Sequence, residues 1–249
     1  MVTKRVNILG VPIDPVTSTE ALDRIETFIA SKLPHQVATV NPEFIMAAQD
    51  NQTFHEILQT TNLNIADGVG VRAAASFLAT PIPAVVTGVD LLTDIARQGA
   101  QKGWGLYLVG GRPNVASMAA EALKKQFPSL RILGAEEGIR QGQGATNKEA
   151  LIERIKHAKP DVLFVAFGAP KQDLFIAQHK AALEVPVMMG VGGSFDFLAG
   201  IVPRAPRWLR TIGLEWLWRL LLEPWRFPRI ITATIRFPWR VFKSAMKTP

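Results

Sequence analysis

The sequence has no cysteine, which excludes disulfides and thiolate metal sites and leaves the redox compartment open. It has no Asp-x-Asp and no His/Glu cluster at metal-ligand spacing, so no tightly held divalent ion is expected. The G-x-G-x-x-G fingerprint is missing too. After Gly110-Gly111, the position where nicotinamide binding wants an acidic residue is Ile132, so a dehydrogenase is disfavoured. No apolar run approaches the roughly 18–20 residues that cross a bilayer. The opening stretch MVTKRVNILGVPID lacks the long apolar segment of a secretory leader and reads as a β-strand. A cytoplasmic protein is expected, one that can still be held at a surface. The four histidines (His35, His55, His157, His179) fall outside the strand-end turns, and surface helix positions account for them.

What is present is unevenly distributed. The 249 residues carry a net charge of +7, yet residues 203–249 alone hold ten Lys/Arg against two acidic residues. The first 202 residues are therefore close to neutral. Five of the six tryptophans (Trp208, Trp216, Trp218, Trp225, Trp239) share the basic tail. Two units are expected: an α/β body over 1–202 and a basic, Trp-rich helical appendage over 203–249.

Within the body, apolar runs at 36–40, 62–66, 105–109, 130–135, 161–167 and 185–191 alternate with helical patterns. Runs that are continuous rather than alternating belong to strands buried on both faces. The fold class is thus α/β: a Rossmann-like, mostly parallel sheet flanked by helices. Ligands of such sheets bind beyond the carboxyl ends of the strands. There the sequence gathers Thr39 and Asn41, Asp67, Thr87 and Asp90, Gly110-Gly111-Arg112, Lys171-Gln172-Asp173, and Gly192-Gly193-Ser194.

Each of these has a plain structural reading beside the functional one. Gly110-Gly111 suits a pyrophosphate resting on backbone amides, and equally a tight turn between strand and helix. Asp67, at a strand end before Gly68, is placed for general-base work or for capping the next helix. Asp14-Pro15-Val16-Thr17 reads as turn and capping chemistry. Thr39 and Asn41 put two polar side chains on one face of a strand end, which packing does not require. Lys171-Gln172-Asp173 opens a helix and could do no more than that.

In the tail, Arg219, Arg226, Arg229, Arg236, Arg240, Lys243 and Lys247 would form one helical stripe if Pro224, Pro228 and Pro238 only bend the chain. Cations beside interfacial Trp and Phe suit an anionic membrane surface. The competing reading is a helical hairpin packed on the body. A nucleic-acid partner is not expected, because such arms carry far fewer large apolar residues. Arginine forks such as those of Arg207 or Arg219 also suit a diphosphate. A non-catalytic membrane-bound scaffold or regulator, with a nucleotide-sugar-binding body, is the alternative to an enzyme.

The segments Thr39-Val40-Asn41-Pro42, Ala66-Asp67-Gly68, Thr87-Gly88-Val89-Asp90-Leu91, Gly168-Ala169-Pro170-Lys171-Gln172-Asp173, Gly190-Val191-Gly192-Gly193-Ser194-Phe195-Asp196 and Glu215-Trp216-Leu217-Trp218-Arg219 resemble, in order, the WecG/TagA/CpsF glycosyltransferases. The resemblance implies an inverting, metal-independent enzyme without cofactor, peripheral on the inner face of the cell membrane. Its best-known members move N-acetylmannosamine, or its uronic acid, from a UDP-sugar to undecaprenyl-diphosphate-linked N-acetylglucosamine. It also implies that Asp67 is the base, that Thr39, Asn41 and Gln172 line the sugar-nucleotide site, and that tail arginines complete it. Two departures stand out. An arginine common in the family is Val85 here, and its usual Glu is Asp173, one methylene shorter, which raises the question of which sugar fits. A homo-oligomer is compatible with the sequence.

Overall fold

The computed structural model describes residues 4–138 and 145–246. The end of the glycine-rich segment after residue 135 and Lys247 of the basic stripe lie outside the described residues. The stretch expected to be one N-terminal strand is a hairpin, β1 (Val6–Ile8) and β2 (Val11–Ile13). The reason is local: Leu9 and Gly10 both adopt left-handed backbone (φ 51° and 84°), as a two-residue hairpin turn requires. Helix α1 (Ser18–Ser31) starts at Thr17, which accepts from the Glu20 amide while Glu20 accepts from the Thr17 amide. That capping box bears out the reading of 14–17 as turn and cap.

There follow β3 (His35–Val40), α2 (Pro42–Asp50), α3 (Gln52–Thr60), β4 (Leu63–Ala66), α4 (Val69–Phe77), α5 (Gly88–Lys102), β5 (Gly105–Gly110) and α6 (Val115–Gln126). Then come β6 (Arg131–Glu136), α7 (Ala145–Ala158), β7 (Val162–Ala166), α8 (Lys171–Leu183) and β8 (Val187–Gly190). Strands β3–β8 form one parallel six-stranded sheet in the order β4-β3-β8-β7-β5-β6. The continuous apolar runs are explained by burial on both faces. Leu106, Leu108 and Phe164 pack under α1, α5 and α6, while Tyr107, Val109, Leu163 and Val165 face α7 and α8. Each such side chain contributes about 1.5–3 kcal/mol by leaving water. His35 departs from expectation: it begins β3 and stacks on Phe28, ring centroids 4.1 Å apart.

Beyond the sheet lie α9 (Ser194–Leu198), α10 (Arg207–Thr211) and α11 (Glu215–Leu222). A 3₁₀ turn (Pro224–Arg226), α12 (Phe227–Ile231), a π-helical turn (Thr232–Arg236) and α13 (Phe237–Ala245) complete the tail. Pro224, Pro228 and Pro238 each occupy the first turn of a piece, where no intrahelical N–H is needed. At Glu223 the backbone leaves the helix (φ −129°, ψ 71°), and from Pro224 to Ala245 the turns follow one another directly. Phe237 and Val241 are buried in the apolar cluster that holds Phe44, Ile45 and Val71, so tail and body share a core. Arg204 pins the start of the tail, pairing with Asp90 of α5 and Glu215 of α11. Among the described residues, no helix is long and apolar enough to cross a membrane.

Candidate active site

Parallel pairing sets the carboxyl ends of β3 and β4 side by side: Val40 stands opposite Ala66, and the Asp67 amide donates to the Val40 carbonyl at 2.8 Å. Thr39, Asn41 and Asp67 thereby reach one cavity of about 1370 Å³, roofed by the tail. Small-molecule pockets commonly measure about 300–1,000 Å³, so this one has room for two substrates. Thr87, Gly111, Gln172, Gly192, Gly193 and Arg219 also line it. Three expected site residues do not: Asp90, Gly110 and Arg207 lie outside the lining.

The reason differs for each. Asp90 accepts from the Thr87 hydroxyl (2.6 Å) and from Arg204, and so anchors the tail. Burial would raise its pKa, but Arg204 and Thr87 outweigh burial and hold it below the usual carboxylate range. Gly110 answers a packing need, since a Cβ there would fall 2.7 Å from the Ala166 carbonyl oxygen. Arg207 points to solvent, and Arg210, one turn later, lines the cavity instead.

Asp67 is the central group. Gly68 behind it has φ 98°, a left-handed conformation that glycine adopts without strain. The helix that follows has no side-chain cap, so the capping alternative for Asp67 is not realised. Burial pushes its pKa up to about 7; the Gly88 backbone N–H donates to it and pulls the other way, while Glu215 and Asp90 add to the rise. A carboxylate with a pKa near neutrality is matched to general-base work. Gly88 also lets α5 approach, because a Cβ there would stand 3.3 Å from Thr39 Oγ1.

The polar trio divides three ways. Lys171 is exposed at the rim. Gln172 is buried, and its Oε1 accepts from the Gly192 amide at 3.0 Å, so it braces the Gly192-Gly193 loop. Asp173 is fully buried away from the cavity, and neither carboxyl oxygen meets a hydrogen-bonding partner; burial raises its pKa to about 7. On the question of whether the shorter Asp173 alters which sugar fits, its side chain is buried and does not line the cavity. Asn41 lines the cavity while its side chain caps α2, accepting from the Phe44 amide. The Gly111 amide donates to Ala166 and the Gly192 amide to Gln172, so these two amides are already engaged rather than offered to an anion.

Cationic groups from the tail reach the same cavity. Arg210, Arg219, Arg226 and Arg229 all line the cavity, and so does Val85. Spacing alone placed Arg219, Arg226 and Arg229 in the stripe but did not show that they turn inward. Among the described residues no group of three or more His, Asp or Glu side chains could hold a metal ion.

Residues 6–249 match the glycosyl transferase WecG/TagA/CpsF family. The chain belongs to that family. Its curated relatives include N-acetylglucosaminyldiphosphoundecaprenol N-acetyl-beta-D-mannosaminyltransferases of Staphylococcus aureus strains NCTC 8325 / PS 47, COL and MRSA252. Each is 32% identical to this chain, with 98% of the chain aligned to 95% of the relative. Family membership makes the chain a glycosyltransferase, and the cavity beneath the tail is the candidate active site.

Proposed function

We propose that the chain transfers N-acetylmannosamine, or a related sugar, from a UDP-sugar to a polyprenyl-diphosphate-linked N-acetylglucosamine, with inversion and without a metal ion. The observation that carries this reading is one cavity holding a near-neutral carboxylate, Asp67, together with four tail arginines. Asp67 takes the proton of the acceptor hydroxyl as its oxygen forms a bond to the donor's anomeric carbon. The bond from that carbon to UDP breaks on the opposite face, which inverts the centre. The electron pair leaves with the diphosphate, where guanidinium groups stabilise the growing charge. The relatives' names supply the acceptor and sugar class.

The tail, residues 203–249, would hold the enzyme on the cytoplasmic face of an anionic membrane. Trp208, Leu221, Trp225, Phe227 and Trp239 are exposed on it, and so are the cations Arg207, Arg236 and Lys243. The direct test is a UDP-release screen over several UDP-sugars with a short-chain prenyl-diphosphate N-acetylglucosamine acceptor. Acceptor-dependent release from one N-acetylated donor is expected. Release from none, with vesicle binding intact, would leave the scaffold reading. For the membrane part, Trp225→Ser combined with Trp239→Ser should weaken sedimentation with phosphatidylglycerol vesicles by about tenfold or more; unchanged sedimentation would refute it.

A further inference from the structure

Glu223 closes α11 between two arginines of the cavity wall. Its Oε2 accepts from Arg219 Nε at 2.7 Å and lies 2.9 Å from Arg226 Nε. The three side chains are only 18%, 14% and 19% exposed in the order Arg219, Glu223, Arg226. Arg219 is held from two further directions. Its guanidinium carbon stands 4.7 Å over the Phe197 ring, and Nη2 comes within 2.6 Å of where a Cβ on Gly193 would be. Within this packed pair, Arg226 Nε meets Glu223 as an ion pair, and Arg219 Nη2 is buried without a hydrogen-bonding partner. Both arginines also line the cavity, so the pair presents positive charge to an anion bound there.

Glu223 stays ionised in this setting. Burial would raise its pKa, but Arg219 and then Arg226 outweigh burial and hold it below the usual carboxylate range. One carboxylate oxygen therefore serves two guanidinium groups that would otherwise repel each other and swing apart.

We propose that Glu223 is a positioning residue: a single carboxylate oxygen gathers Arg219 and Arg226 so that their remaining N–H groups face the cavity as one donor set for a diphosphate. This rests on the reading that the cavity takes a nucleoside diphosphate, and it adds what orders the arginines before the ligand arrives. Such ordering matters because a guanidinium that is already oriented loses less freedom on binding.

Two conservative variants separate geometry from charge. Glu223→Gln keeps an oxygen at the same reach and removes the charge, while Glu223→Asp keeps the charge and withdraws the oxygen by one methylene. Inorganic pyrophosphate is titrated calorimetrically into the full chain, with melting curves as a control on folding. Glu223→Gln is expected to bind pyrophosphate as tightly as wild type or tighter. Glu223→Asp is expected to bind about tenfold more weakly, the equivalent of losing one well-placed charge-assisted hydrogen bond. Equal binding by wild type and Glu223→Asp, an equal loss in both variants, or no binding by wild type would each overturn the proposal. Because the titration needs no turnover, a wild type that shows the expected order yet releases no UDP would sink the transferase reading alone.

Discussion

Asp67→Asn is expected to cost activity and raise stability, in a way that depends on pH. The wild-type carboxyl has a pKa of about 7 in the fold against an ordinary 3.8. At 1.36 kcal/mol per decade, ionising it in the folded state costs roughly 4 kcal/mol relative to the unfolded chain. The cavity admits solvent to this partly exposed side chain, so about half of that, ~2 kcal/mol, is the figure to carry forward. The sign follows from linkage: the folded chain holds this proton more tightly, so stability is full below the unfolded value and is lost as pH rises through about 7. Asparagine has no charge to bury, and its Oδ1 still accepts from the Gly88 amide. The variant should therefore melt about 4–8 °C above wild type near pH 8 and at about the same temperature near pH 4. Acceptor-dependent UDP release should fall by about 10²–10⁴-fold. For the wild type, release should decline as pH falls below about 7, as the base becomes protonated. Differential scanning fluorimetry at the two pH values and a coupled UDP assay measure both halves. Near wild-type turnover in folded Asp67→Asn would refute the base, and an equal melting temperature near pH 8 would refute the buried-charge argument.

Three other outcomes follow from the same geometry. Gly193 has φ −83°, so Gly193→Ala puts no strain on the backbone, but its Cβ would collide with the movable end of Arg219. The variant should keep its melting temperature within about 2 °C while the KM for the donor rises about tenfold; an unchanged KM would show that Arg219 does not meet the donor. Arg204→Ala removes the pairing with Asp90 and Glu215, and should cost about 1–3 kcal/mol and speed proteolysis between residues 203 and 215, as limited trypsinolysis would show. Chelation with EDTA should leave turnover unchanged, and lost activity restored by added magnesium would overturn the metal-independent mechanism.

The sheet was legible because double-sided burial writes itself as unbroken apolar runs, as at Leu106–Val109 and Val162–Val165. The site was legible in outline because turns at the strand ends must collect polar residues. What escaped depended on details that spacing does not carry. The arginine stripe assumed a constant helical pitch, yet a 3₁₀ turn and a π-helical turn interrupt it. The result is that Arg219, Arg226 and Arg229 face the cavity, while Arg236 and Lys243 face solvent. Gln172 lines the cavity, and spacing did not reveal that its amide oxygen also braces a glycine loop. Arg207 was expected in place of Arg210 because spacing does not show which way a helix as short as α10 turns; Arg210 lines the cavity and donates to the Ala205 carbonyl.

The strand order has a consequence for how the molecule assembles. β8 is the last strand in the chain but lies inside the sheet, between β3 and β7. Until it arrives, β4-β3 on one side and β7-β5-β6 on the other share no backbone hydrogen bonds. A growing chain thus carries two half-sheets, each with an open edge able to pair wrongly. The same late strand leads through Val191 to Gly192-Gly193. The strand that completes the sheet is thus also the one that delivers Gly192 and Gly193 to the cavity lining.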